Sequence, residues 1–216
     1  AVASNWTAPA TWSTPGEAIG QNVFVSVTTS GDALAVWTAG GAAKARWQYA
    51  DGSFSTVFDP LAGSGLAGTP TISGARAWGS RQAVITYTGS TDVSDVPTSQ
   101  ATFGLYARRL ADTTLADPIP VAASTATRSI GASTSLLVAG GGTTIVGWYD
   151  AARPATLGTT DVRYSRLRVL YTGTAIPGPV QDVDEQRDRT TNDGLGNLTA
   201  AGTEQPLFWL NEGGTG

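Results

Sequence analysis

Short runs of apolar residues that end on an aromatic side chain recur four times along the chain: DALAVWTA at 32–39, QAVITYTG at 82–89, TTIVGWYD at 143–150 and QPLFWLNE at 205–212. Their aromatics, Trp37, Tyr87, Trp148 and Trp209, are spaced by 50, 61 and 61 residues. Repetition on this scale marks an array of similar supersecondary units. Each of the first three runs is followed by an element with a small residue beside arginine: Ala45-Arg46, Ala107-Arg108 and Ser165-Arg166. A further element carries proline and an apolar residue, as in FDPL at 58–61, DPIPV at 117–121 and PGPVQDV at 177–183. Another opens each unit: NVFVS at 22–26, PTISG at 70–74, SIGAS at 129–133 and GNLTA at 196–200.

Val, Ile, Thr, Tyr and Trp fill these elements while Gly, Pro, Asp and Ser separate them, which is the composition of strands and turns. The segment TFGLYARRLADTTLAD at 102–117 has some helical spacing, but it aligns with the arginine-bearing element of the other units and is read as strand. The pattern therefore predicts an all-β chain of four-stranded antiparallel units. Radial repetition of such sheets is the architecture of a β-propeller. The units fall at about 20–61, 69–122 and 129–183. Residues 195–216 together with an outermost strand at 5–12 supply parts of a fourth. The whole of 1–216 reads as one propeller domain or as the front part of a larger propeller. Either the fourth sheet closes the ring, or a second chain completes it.

The chain has 41% hydrophobic and 14% charged residues, so a sizeable core can form. Net charge is −4 and Lys44 is the single lysine, which leaves no basic stripe for phosphates and disfavours nucleic acid as a partner. The most apolar segment, 136–149, is broken by Gly140 to Thr144. No run approaches the roughly 18 apolar residues of a membrane span. Ala1-Val2-Ala3 resembles a small-residue signal-peptidase site, and secretion or display at the cell surface is the expectation.

The phrase SGDALAVWTAGG…AKARWQYADGSFSTVFDPL at 30–61 resembles a blade of secreted bacterial β-propellers, the broad sialidase-like and surface-repeat group. Weaker copies cover nearly the whole chain. The resemblance implies a scaffold, and it carries no active site with it. YADGSFSTVF at 49–58 is similar to the Asp-box turn of sialidase-type propellers, yet Asp51 and Gly52 are adjacent and Phe58 replaces the usual tryptophan. A plain aspartate-glycine hairpin turn accounts for it as well.

With neither histidine nor cysteine in the chain, Ser-His-Asp and Cys-His nucleophiles and histidine-ligated metals are excluded. Carboxylate chemistry remains, and a propeller glycosidase would draw its acid pair from Glu17, Asp92, Asp95, Asp150, Asp161, Asp182, Asp184, Glu185, Asp188 and Asp193. Most of these are expected on solvated loops. The connections at 89–100, 149–160 and 182–197 are long and belong on one rim, where loops on a rigid scaffold commonly carry binding. This places ligand-binding residues at Asp92, Asp95, Tyr149, Asp150, Arg153, Asp188, Asn192 and Asp193. No cofactor is implied. Calcium would suit the oxygen-rich 182–197 segment, but its spacing fails the calcium-loop template, and an ion-paired crossover is expected instead. The leading expectation is an extracellular, non-catalytic propeller that binds a glycan or protein partner through the rim. The alternatives are a carboxylate-dependent glycosidase and a structural surface or particle component that assembles through sheet edges.

Overall fold

A computed structural model describes residues 11–90, 103–125, 128–152, 162–174, 176–187, 199–201 and 205–207. The chain is all-β, built from several antiparallel sheets. The first sheet runs β1 (Ile19–Val27), β2 (Ala33–Ala39) and β3 (Ala42–Gln48), in that spatial order. Its fourth position is reduced to two isolated bridges, Gln48 with Phe54 and Ala45 with Phe58. The second sheet runs β4 (Ala67–Trp78), β5 (Gln82–Ser90) and β6 (Phe103–Ala111). The outer edge of β6 is shared by β7 (Thr114–Leu115) and β8 (Ile119–Ala123). The third is a regular meander of β9 (Arg128–Val138), β10 (Thr144–Ala152), β11 (Val162–Leu170) and β12 (Val180–Arg187). A two-stranded hairpin, β13 (Thr199–Ala201) with β14 (Gln205–Leu207), follows. The segment 103–111 is strand, as its alignment predicts.

The sheets stack face to face through their central strands, because each of these strands is apolar on both sides. Alternation along β5 divides its side chains between two cores. Ala83, Ile85 and Tyr87 join Leu34, Val36 and Trp47 of the first sheet, while Val84 joins Leu136, Val146 and Trp148 of the third. The opening strands also touch in sequence, β1 against β4 and β4 against β9. The three recurrent aromatics among the described residues enter equivalent faces of their sheets. Tyr87 points into the first seam, Trp148 into the second, and Trp37 away from both, under Trp12.

One interaction repeats at every seam and shows how the units are joined. Arg46 lies opposite Ala35, Arg108 opposite Ile85 and Arg168 opposite Val146, each two residues before the aromatic of the neighbouring central strand. Register therefore makes Arg168, and not Arg166, the equivalent of the other two. The Nε of each arginine donates to a carbonyl on the outer side of its own unit: Ser55 (3.0 Å), Ala116 (2.6 Å) and Gly178 (2.6 Å). Nη1 reaches back to the outer segment of the preceding unit. Arg108 donates to Pro60 and Ala62 (3.4 and 2.5 Å), and Arg168 to Val121 (2.7 Å). Arg46 makes the same reach to the carbonyls of Thr11 and Trp12 (3.4 and 3.2 Å). Only the planar guanidinium fork can serve two strands at once in this way.

Tyr87 is fully buried, stacks on Tyr106 at 5.8 Å between ring centroids, and its hydroxyl has no hydrogen-bond partner among the described residues. Burial pushes its phenol up to about 12 from 10.0, with Arg108 opposing more weakly. Because the folded state holds this proton more tightly than the unfolded one, stability is intact below pH 10 and falls as the pH rises from there toward 12. The loss is expected to be on the order of 2–3 kcal/mol. Tyr87→Phe should remove most of that alkaline loss without lowering stability at pH 7, as read from urea midpoints at pH 7, 10 and 11.5. A variant that loses stability in alkali as the parent does would place the titration elsewhere.

Candidate functional site

The strand ends form two rims of different character. At one, tight turns are tied together across sheets. The Ser30 hydroxyl donates to the Gly79 carbonyl (2.9 Å), and the Trp47 indole donates to the Asp112 carbonyl (2.9 Å). Arg81 pairs with the Asp112 carboxylate at 3.1 Å, and that carboxylate also accepts from the Tyr49 hydroxyl (3.2 Å). Arg109 donates to the carbonyls of Gly142, Leu170 and Tyr171 at 3.0–3.1 Å, and Thr172 to Gly141 (2.7 Å). Asp51 closes the 49–53 turn by accepting from the amide and hydroxyl of Ser53, bonds that hold its carboxyl below the usual carboxylate range. Gly52 has φ +86°, which fits the aspartate-glycine hairpin turn.

Antiparallel pairing puts the opposite ends of the same strands on the second rim. Here the chain leaves β5 at Ser90 and enters β6 at Phe103, leaves β10 at Ala152 and enters β11 at Val162, and leaves β12 at Arg187. The equivalent turn of the first sheet, between β2 and β3, has only Gly40 and Gly41. Beside that short turn lies a cavity of about 350 Å³, lined by Gly41, Ala43, Asp59, Leu61, Leu66 and Pro70 among others. Asp59 is held in place there by the Leu61 amide (2.8 Å).

Of the ligand-binding residues expected from sequence, Asp92, Asp95, Arg153, Asp188, Asn192 and Asp193 lie outside the described residues. Tyr149 is in β10, its backbone opposite Ser165. Asp150 is buried, and its Oδ2 accepts from Arg166 at 2.8 Å. Arg166 also meets Asp182 of β12 at 2.7 Å, so the acids at 150 and 182 flank one guanidinium in the middle of the third sheet. Lys44, opposite Trp37 as Arg166 is opposite Trp148, forms the matching ion pair with Glu17. The lysine hydrogen bond lowers the Glu17 carboxyl below its ordinary value. Asp32 is likewise engaged, by the Ser30 hydroxyl (2.8 Å) and the Ala50 amide (3.0 Å).

Among the described residues, no helix is long and apolar enough to cross a membrane. No family model and no curated protein matches the chain.

Proposed function

We propose that the chain is an extracellular or cell-surface β-propeller module, without catalysis of its own, that meets a glycan or protein partner through the second rim. The observation that carries this reading is the contrast between the rims. One is tied by cross-sheet hydrogen bonds, with turns of two to five residues except at the β11–β12 connection, whose first residue is itself held by Arg109. From the other, three connections of nine or more residues leave the ends of rigid strands, and a cavity of about 350 Å³ lies there beside the short β2–β3 turn. Loops mounted on a fixed scaffold can vary in sequence without cost to the core, and binding residues concentrate on them. The propeller reading is supported by the serial stacking of antiparallel meanders, by opening strands that touch in sequence, and by the repeated arginine bridge. The resemblance of 30–61 to secreted bacterial propellers supports the extracellular setting.

A binding role also fits the use to which seven of the described carboxylates are put. Glu17, Asp112, Asp150 and Asp182 are each in an ion pair, and Asp32, Asp51 and Asp59 order their own turns. A glycosidase would instead hold two acids facing one substrate bond. The test is to replace residues 92–99 by Gly-Gly and to compare the variant with the parent on an oligosaccharide array and against candidate cell-surface proteins. We expect the urea midpoint to stay within about 0.5 kcal/mol of the parent, as for surface changes, and binding to fall at least tenfold. Unchanged binding with all three rim connections shortened in turn would defeat the assignment. Hydrolysis of an arrayed glycan would favour the enzyme.

A further inference from the structure

β1, β4 and β9, the strands that open the three sheets, each pair on one side only, with β2, β5 and β10. Their other edges are joined by side chains and not by a ladder. The Ser26 hydroxyl accepts from the Ala77 amide (2.9 Å). The Thr134 hydroxyl meets the carbonyl and hydroxyl of Ser73 (3.2 and 3.0 Å) and the hydroxyl of Thr86 (3.2 Å). These bonds fix the spacing of the three strands around a groove of about 320 Å³. Its size lies at the small end of the range for ligand pockets, about 300–1,000 Å³.

The groove carries an uncompensated positive charge in a chain of net charge −4. Arg76 lines it, and no carboxylate among the described residues does. The fold has engaged every other described cation. Lys44, Arg81 and Arg166 are paired with carboxylates. Arg46, Arg108, Arg109 and Arg168 each donate to two or more main-chain carbonyls. Arg76 is exposed, and its one contact among the described residues is a long one, from Nε to the Leu136 carbonyl at 3.4 Å. Most of its N–H donors are therefore left for a ligand. Across the groove the exposed side chains of Val23 and Val25, together with Leu136, supply an apolar wall.

We propose that this groove binds a small organic carboxylate, with the carboxylate group on the guanidinium of Arg76 and the apolar body of the ligand against Val23, Val25 and Leu136. One planar fork matches one carboxylate through two parallel hydrogen bonds. A phosphate would be only partly neutralised by a single guanidinium. An inorganic oxyanion has no apolar surface to remove from water against the valines. The groove contains none of the rim connections, so each of the two binding readings survives the failure of the other.

The probes are benzoate, its uncharged analogue benzamide, and sulfate, titrated at constant ionic strength into the full-length chain labelled with nitrogen-15. Benzoate should shift the Arg76 Nε–Hε and Thr134 amide resonances saturably, at a midpoint about tenfold below that of benzamide, as expected for a charge-assisted pair. Arg76→Gln should raise the benzoate midpoint about tenfold while the urea midpoint stays at the parent value, because Arg76 makes no short bond to the protein. Equal midpoints for benzoate and benzamide on the parent protein would overturn the role of the charge, whatever the variant does. Sulfate that binds as tightly as benzoate would overturn the organic ligand. Benzoate binding unchanged in Arg76→Gln, or no saturable shift at Thr134, would overturn the site.

Discussion

Arg108→Ala should lower stability by about 2–3 kcal/mol, the largest effect expected of any charged residue here. Arg108 is 5% exposed and donates to the carbonyls of Ala116, Pro60 and Ala62. Truncation leaves the carbonyl of buried Pro60 without this donor, while those of exposed Ala62 and Ala116 turn to water, and a buried unsatisfied group costs about 1–3 kcal/mol. It also removes the contact between the outer segments of the first and second sheets. Arg108→Lys should recover little, because a compact ammonium cannot direct separate N–H groups at two strands. Arg46→Ala removes the same bridge at a half-buried position and should cost about 1–2 kcal/mol. Urea unfolding followed by tryptophan fluorescence measures all three. An Arg108→Ala protein within 1 kcal/mol of the parent would show that the arginine bridges decorate the seams without holding them.

The strands were legible because two signals coincide in them: apolar runs ending on an aromatic, and turns marked by Gly, Pro and Asp. The equivalence of the arginines was not. The third unit carries Arg166 and Arg168 on the same face of β11, and spacing from the nearest small residue selects the wrong one. Only cross-strand register separates them, and register is set by pairing along the whole of β10 and β11. The outer strand of the first sheet was overread for a related reason. FDPL has strand composition, but Asp59 folds back on the Leu61 amide and Ala62 on Asp59, so pairing ends at Phe58. Asp150 follows an aromatic pair and precedes a polar stretch, so it reads as a loop acid. β10 continues to Ala152 and draws it into an ion pair. That the chain leaves β5, β10 and β12 at the same rim could be read from the sequence. The locking of the other rim could not, since side chains donating to distant carbonyls, such as Arg109 to Leu170, leave no local pattern.

Trp148→Ala is expected to cost about 3–5 kcal/mol, the range for truncating a buried aromatic. Trp148 is 2% exposed and fills the second seam beside Val84, Leu105, Ala107, Leu136 and Leu170, which come from its direct partners β9 and β11 and from two strands of the second sheet, β5 and β6. A cavity at that point cannot close easily. The backbone of β10 is pinned on both sides, by β9 and β11, and the second sheet is held by its own ladder. The bulge between Trp148 and Asp150 also fixes the direction in which the ring enters the core. Trp148→Phe should retain most of the stability, because the indole Nε1 has no hydrogen-bond partner among the described residues and the change is chiefly one of volume. The denaturant midpoint should fall for the alanine variant while the slope of the transition stays constant, since the surface exposed on unfolding is nearly the same. A midpoint close to that of the parent would mean that the second and third sheets are not joined through this core. The serial stacking on which the propeller reading depends would then lose its physical basis.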